Sequence, residues 1–126
     1  MANYRHDHTH ITSPNPQSVV EFYQKAMGLK IIKEIELSGG NKATDIDMGG
    51  VPVRISATTG ADAVLGEVYG LHHISLSVDD LKSATADLKA NGAEIVIEPK
   101  QTPSGTWLAF VRCPDGTLYE LLQKAQ

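Results

Sequence analysis

The chain has 126 residues, enough for one compact domain with a real core and too few for two independent enzymatic domains. Eleven basic against fifteen acidic residues leave a net charge of −4 with no basic patch, which argues against a nucleic-acid partner and for a small-molecule ligand. No apolar run approaches bilayer length, the N-terminus carries no apolar leader, and Cys113 is the only cysteine, so a soluble cytoplasmic protein with no membrane partner and no intramolecular disulfide is expected.

A strand is expected over residues 6–12, ending at Ser13-Pro14-Asn15-Pro16, where Asn15 suits a helix N-cap and Pro16 the first helical position. The helix that follows carries Val19, Val20, Tyr23, Ala26 and Met27 at helical spacing and closes at Gly28, a residue that adopts the left-handed conformation without strain. Three strands come next, over 29–37, 43–48 and 51–57, the last two joined by Gly49-Gly50, a two-residue hairpin signal. Residues 58–70 read as a linker, with a short helix expected around 61–65. The order then repeats. A strand over 72–78 leads through an Asp79-Asp80 cap into a helix carrying Leu81, Ala84, Thr85 and Leu88, which closes at Gly92. Strands over 94–98, 106–112 and 117–122 complete the second copy, and Pro114-Asp115-Gly116 turns the final pair.

The repeat is quantitative. The helix-closing glycines Gly28 and Gly92 are 64 residues apart, His8 and His73 are 65 apart, and the hairpin glycines Gly50 and Gly116 are 66 apart. The expected fold is therefore α+β. Two tandem βαβββ modules, about 1–57 and 71–126, form a curved, cup-like mixed sheet around a metal site within a single domain over 1–126. One helix covers one face of each four-stranded module. By strand alternation Thr9 and Ile11 face the first helix while His6, His8, His10 and Thr12 face away from it. In the second copy Ile74, Leu76 and Val78 take the helix side and leave His73, Ser75 and Ser77 on the other.

His8 and His73 thus occupy equivalent places in the first strand of each copy, and Glu120 stands four residues beyond its hairpin glycine on the last strand. Two imidazoles and a carboxylate form the ligand set of an open facial triad, which leaves coordination positions for substrate or water. Structural zinc sites are instead closed by four ligands and rich in cysteine. The expected cofactor is one divalent metal ion, Fe, Mn, Ni, Co or Zn, at His8, His73 and Glu120. The counterpart of Glu120 in the first copy is Arg54, which pairs across its hairpin with Asp45. Arg54 either clamps an anionic substrate or is neutralised by Asp45 in a structural ion pair. His10, beside His8, is a candidate substrate contact, and His72 is read as structural. Trp107 and Phe110 face opposite sides of their strand, with Phe110 taken as a pocket residue. Cys113 has no activating neighbour that would make it a nucleophile.

These residues resemble the vicinal oxygen chelate superfamily. The resemblance rests on His8 placed fourteen residues before Phe22-Tyr23, on Gly28-Leu29, on the stretch from Gly70-Leu71-His72-His73 through Asp79-Asp80-Leu81, and on Cys113-Pro114-Asp115-Gly116-Thr117-Leu118-Tyr119-Glu120. It covers nearly the whole chain, and the His8-to-Phe22 spacing selects His8 over His6 and His10. The family includes glyoxalase I, methylmalonyl-CoA epimerase, extradiol dioxygenases, fosfomycin-resistance transferases and metal-free bleomycin-binding proteins. It implies a shared fold and metal site on which unrelated reactions operate.

Glyoxalase I and methylmalonyl-CoA epimerase are most similar in motif, which implies a metal-dependent lyase or isomerase that enolises a small, oxygen-chelating, anionic substrate, with Glu120 as the catalytic carboxylate. Both enzymes usually carry a fourth ligand, Glu or Gln, where this chain has Arg54, so the two-carboxylate proton shuttle of a glyoxalase is not expected. An Fe(II)-dependent dioxygenase is the alternative enzyme, although Phe110 stands where extradiol dioxygenases carry a tyrosine. A protein that sequesters or modifies a toxic small molecule is the alternative from another class. The βαβββ units can pair within a chain or exchange between chains across the 58–70 linker, and a homodimer is expected.

Overall fold

A computed structural model of the chain describes residues 3–37, 41–57 and 70–125. The linker and the short helix expected around 61–65 lie outside the described residues. The chain is α+β and divides into two compact units, one of residues 8–72 and one of residues 73–126 together with the first seven.

The first unit holds β1 (Arg5–Ser13, whose first three residues group with the other unit), α1 (Pro16–Met27), β2 (Lys30–Glu36), β3 (Lys42–Asp47) and β4 (Pro52–Ala57). Its strands run in the order β2-β3-β4-β1, antiparallel at the hairpins and parallel where β1 meets β4. Local chemistry explains the boundaries. The Asn15 side chain accepts the Ser18 N–H at 3.3 Å, Pro16 opens α1, and Gly28 at φ 67° ends it while its N–H returns to the Gln24 carbonyl. Gly49 and Gly50 take φ 69° and 98° in the hairpin between β3 and β4, where the Asp47 carboxylate accepts the Gly50 N–H at 2.6 Å.

In the second unit β5 (Gly70–Ser77, whose first three residues group with the other unit) leads into α2 (Leu81–Ala90), followed by β6 (Glu94–Gln101), β7 (Trp107–Arg112) and β8 (Leu118–Gln123). The strand order β5-β8-β7-β6 again puts the first strand parallel to the last. Asp80 caps α2 by accepting the Ser83 N–H at 3.2 Å, and the Gln123 side chain accepts the Leu81 N–H at 2.8 Å, tying the helix start to β8. Strand β6 runs three residues past its expected end, through Pro99. It is the last strand in its order and pairs with β7 through two register shifts, so a residue without an N–H is tolerated there.

One face of each unit is apolar. Val20, Ile46, Val53 and Ile55 form the first core, with Ile11, Tyr23 and Leu29 against it. Val78, Leu81, Ala84, Ala109, Val111 and Leu121 form the second, with Trp107 packed on it. The opposite face differs in kind: it buries His8, His10, Thr12, Asp45 and Ser56 in the first unit and His73, Ser75 and Phe110 in the second. Buried polar groups need partners, and those partners define the candidate site. Among the described residues no helix is long and apolar enough to cross a membrane.

Candidate functional site

In the first unit the polar face is built by register. Strand pairing sets Arg54 of β4 beside His10 of β1 on one side and Asp45 of β3 on the other. The Arg54 guanidinium donates to Asp45 in a bidentate pair, Nε to Oδ1 at 2.8 Å and Nη2 to Oδ2 at 3.1 Å. Only 3% of Asp45 is exposed, so this is a desolvated pair with fork geometry rather than a loose surface contact. The third guanidinium nitrogen, Nη1, lies 3.3 Å from His8 Nε2. Arginine has only donors, so Nε2 accepts, and a neutral His8 carries its proton on Nδ1. The His8 and His10 rings are 5.9 Å apart, and each offers a ring nitrogen within 4.8 Å of the other's. His10 Nε2 is also 2.7 Å from the Ser56 hydroxyl. His72, read as structural from sequence, has its ring 6.4 Å from that of His10.

The second unit supplies a carboxylate and an imidazole. Ser75 of β5 lies in register with Glu120 of β8, and its hydroxyl donates to Glu120 Oε1 at 2.7 Å. His73 Nε2 stands 3.7 Å from the same oxygen. Phe110, in register with Glu120 on β7, sets its ring edge-on to His73 at 5.2 Å. Alternation thus sorts the aromatics as expected: Trp107 packs into the helix-side core, with Lys82 Nζ 4.9 Å above its ring, and Phe110 lies on the polar face.

Among the residues singled out from sequence, the structure brings His8, His10, Arg54 and Asp45 together in one unit, and His73, Glu120 and Phe110 together in the other. Ser75 and Ser56 were missed as functional groups. Strand alternation places Ser75 on the polar face, but its partner emerges only from the β5–β8 register, which residue spacing does not determine. Cys113 lies at the turn between β7 and β8. Burial, and then the Asp115 carboxylate, push its thiol above the ordinary range, which agrees with a non-nucleophilic role.

Each unit carries groups of a kind that ligate divalent cations: the first has the buried imidazoles of His8 and His10, and the second has His73 beside the Glu120 carboxylate, which the Ser75 hydroxyl fixes. His8 carries one qualification, since its Nε2 lone pair accepts from Arg54 and is not open to a metal while that contact holds.

Comparison with known proteins shows the family. Residues 5–121 match the sequence profile of the Glyoxalase/Bleomycin resistance protein/Dioxygenase superfamily. A probable lactoylglutathione lyase of Vibrio cholerae is 32% identical over 134 residues, spanning 100% of this chain and 95% of that protein. The lactoylglutathione lyase of Escherichia coli is 30% identical, spanning 93% and 90%. Streptomyces coelicolor methylmalonyl-CoA epimerase, solved with 2-nitronate-propionyl-CoA, shares the fold at a TM-score of 0.66 and 22% identity, covering 97% of this chain and 98% of its own.

Proposed function

The chain belongs to the Glyoxalase/Bleomycin resistance protein/Dioxygenase superfamily, among enzymes named lactoylglutathione lyase and methylmalonyl-CoA epimerase, and we propose on that premise that it is a metal-dependent lyase or isomerase acting on a small anionic substrate. His8, His73 and Glu120 hold one divalent ion in this reading. The observation that carries it is the pairing of His73 with Glu120 at 3.7 Å, on neighbouring strands, with the carboxylate oriented by Ser75. A carboxylate fixed beside a buried imidazole is a preorganised ligand pair whose ordering cost is met by the fold.

When bound, the ion supplies Lewis acidity to adjacent substrate oxygens and so stabilises charge that develops on them. Glu120 moves the proton at the neighbouring carbon, and the Ser75 hydroxyl holds its Oε1 in place. Asp45 offsets the Arg54 charge, so the preference for an anionic substrate rests on the net positive charge that a divalent ion with one carboxylate ligand would keep. His10 and Phe110 contact the substrate, and Asp45 sets the Arg54 guanidinium plane. A relay between two metal-flanking carboxylates has no second carboxylate here, so a one-base proton shift is the favoured reaction.

Proton NMR in D2O tests the reading, with methylmalonyl-CoA and the methylglyoxal–glutathione hemithioacetal as probes. Metal-dependent deuterium incorporation at the carbon beside the carbonyl, lost in Glu120→Gln, is expected for one of the two. Exchange that persists fully after chelation would contradict it. The protein is further read as a cytoplasmic homodimer. The exposed Phe22, Met27 and Ile32, each more than half accessible in the single chain, support a covering partner subunit.

A further inference from the structure

The contact between Arg54 and His8 has a consequence for metal binding, one that rests on the reading of His8 as a ligand. A guanidinium keeps its charge at any accessible pH and donates through every nitrogen, so the 3.3 Å approach of Nη1 to His8 Nε2 places a permanent cation on that lone pair. The arm is not free to drift. Nε and Nη2 are fixed by the two oxygens of Asp45, which is itself buried, and the bidentate pair aims the remaining nitrogen along the sheet toward β1. The tautomer required to accept from Arg54, with the proton on Nδ1, is the same one that ligates a metal through Nε2.

We propose that Arg54, aimed by Asp45, is an intramolecular competitor for a metal at His8: it holds the Nε2 lone pair and must leave it before His8 coordinates through that nitrogen. Arg54 is thus a positioning residue that sets metal affinity. Its effect is chiefly the hydrogen bond to be broken, since Asp45 offsets the guanidinium charge toward an incoming cation. A hydrogen bond to a charged group alone corresponds to about tenfold in an equilibrium constant.

Cobalt(II) titration, read from its visible d–d absorption at constant pH, measures this without reference to turnover. The informative variant is the double substitution Asp45→Asn with Arg54→Met, since removing Arg54 alone leaves a buried carboxylate that would itself ligate cobalt. The double variant is expected to bind cobalt about tenfold more tightly than the wild type. That gain should vanish when His8→Ala is added to both proteins. Unchanged or weaker affinity in a folded double variant overturns the proposal, as does a gain that survives the loss of His8. If instead His8→Ala leaves wild-type affinity untouched, His8 is not a ligand, and the metal-site reading fails along with this one. Should the double variant not fold, Asp45→Leu with Arg54→Leu removes the same donor and carboxylate and replaces the buried pair with apolar packing. Cobalt binding tighter than wild type is expected for it, and equal affinity overturns the proposal.

Discussion

At the scale of single residues the most consequential group is Arg54, because it stands where the resemblance places a fourth metal ligand. Spacing leaves two roles open for it, and the structure shows the ion pair with Asp45 while also directing one nitrogen to His8. Removing one partner of a buried pair strands the other, which costs about 3–5 kcal/mol. Arg54→Ala is accordingly expected to lower unfolding free energy by at least about 3 kcal/mol in urea titration, with Asp45→Asn/Arg54→Met closer to wild type. A loss below about 1 kcal/mol for Arg54→Ala would show that Asp45 is solvated despite its burial. Cys113 gives a second prediction at this scale. Its raised thiol pKa reduces the thiolate present at neutral pH, so iodoacetamide should alkylate it more slowly than a free cysteine, and the rate should still be climbing as pH rises past the ordinary thiol range. Alkylation faster than free cysteine would contradict that environment.

At the scale of elements, boundaries written in cap and turn chemistry were legible in the sequence. Asn15, Asp80, Gly28 and the Gly49-Gly50 pair each perform the local role their residue type favours, because caps and turns are satisfied by neighbours in sequence. Asn15→Ala and Asp80→Ala should each cost about 1 kcal/mol by chemical denaturation. Two features were not legible. Strand β6 extends to Gln101 because its β7 partner absorbs register shifts, and Ser75 meets Glu120 only through pairing of strands more than forty residues apart. Register depends on which elements become neighbours, a property of the whole unit that no local window carries.

At the scale of the molecule, the repeat of one βαβββ unit explains why the candidate site could be read so far. Equivalent first strands put His8 and His73 at equivalent positions, and the difference between Arg54 and Glu120 is a difference between two copies of one corner. The chemistry that sets this chain apart therefore lies in the departure from the repeat. If a metal binds the folded protein and not the unfolded chain, saturating metal must stabilise it by mass action. Addition of cobalt or nickel at a hundredfold excess over the dissociation constant should stabilise the fold by about 2.7 kcal/mol, with chelator reversing the shift in Tm. No shift for any of the five candidate metals would argue against a folded-state site.

The central claim, one metal held by His8, His73 and Glu120, is tested most directly by elemental analysis of the purified protein beside His8→Ala and Glu120→Ala. The account predicts a divalent metal near one equivalent per chain in the wild type and a large loss in both folded variants. Full occupancy in either variant would contradict it.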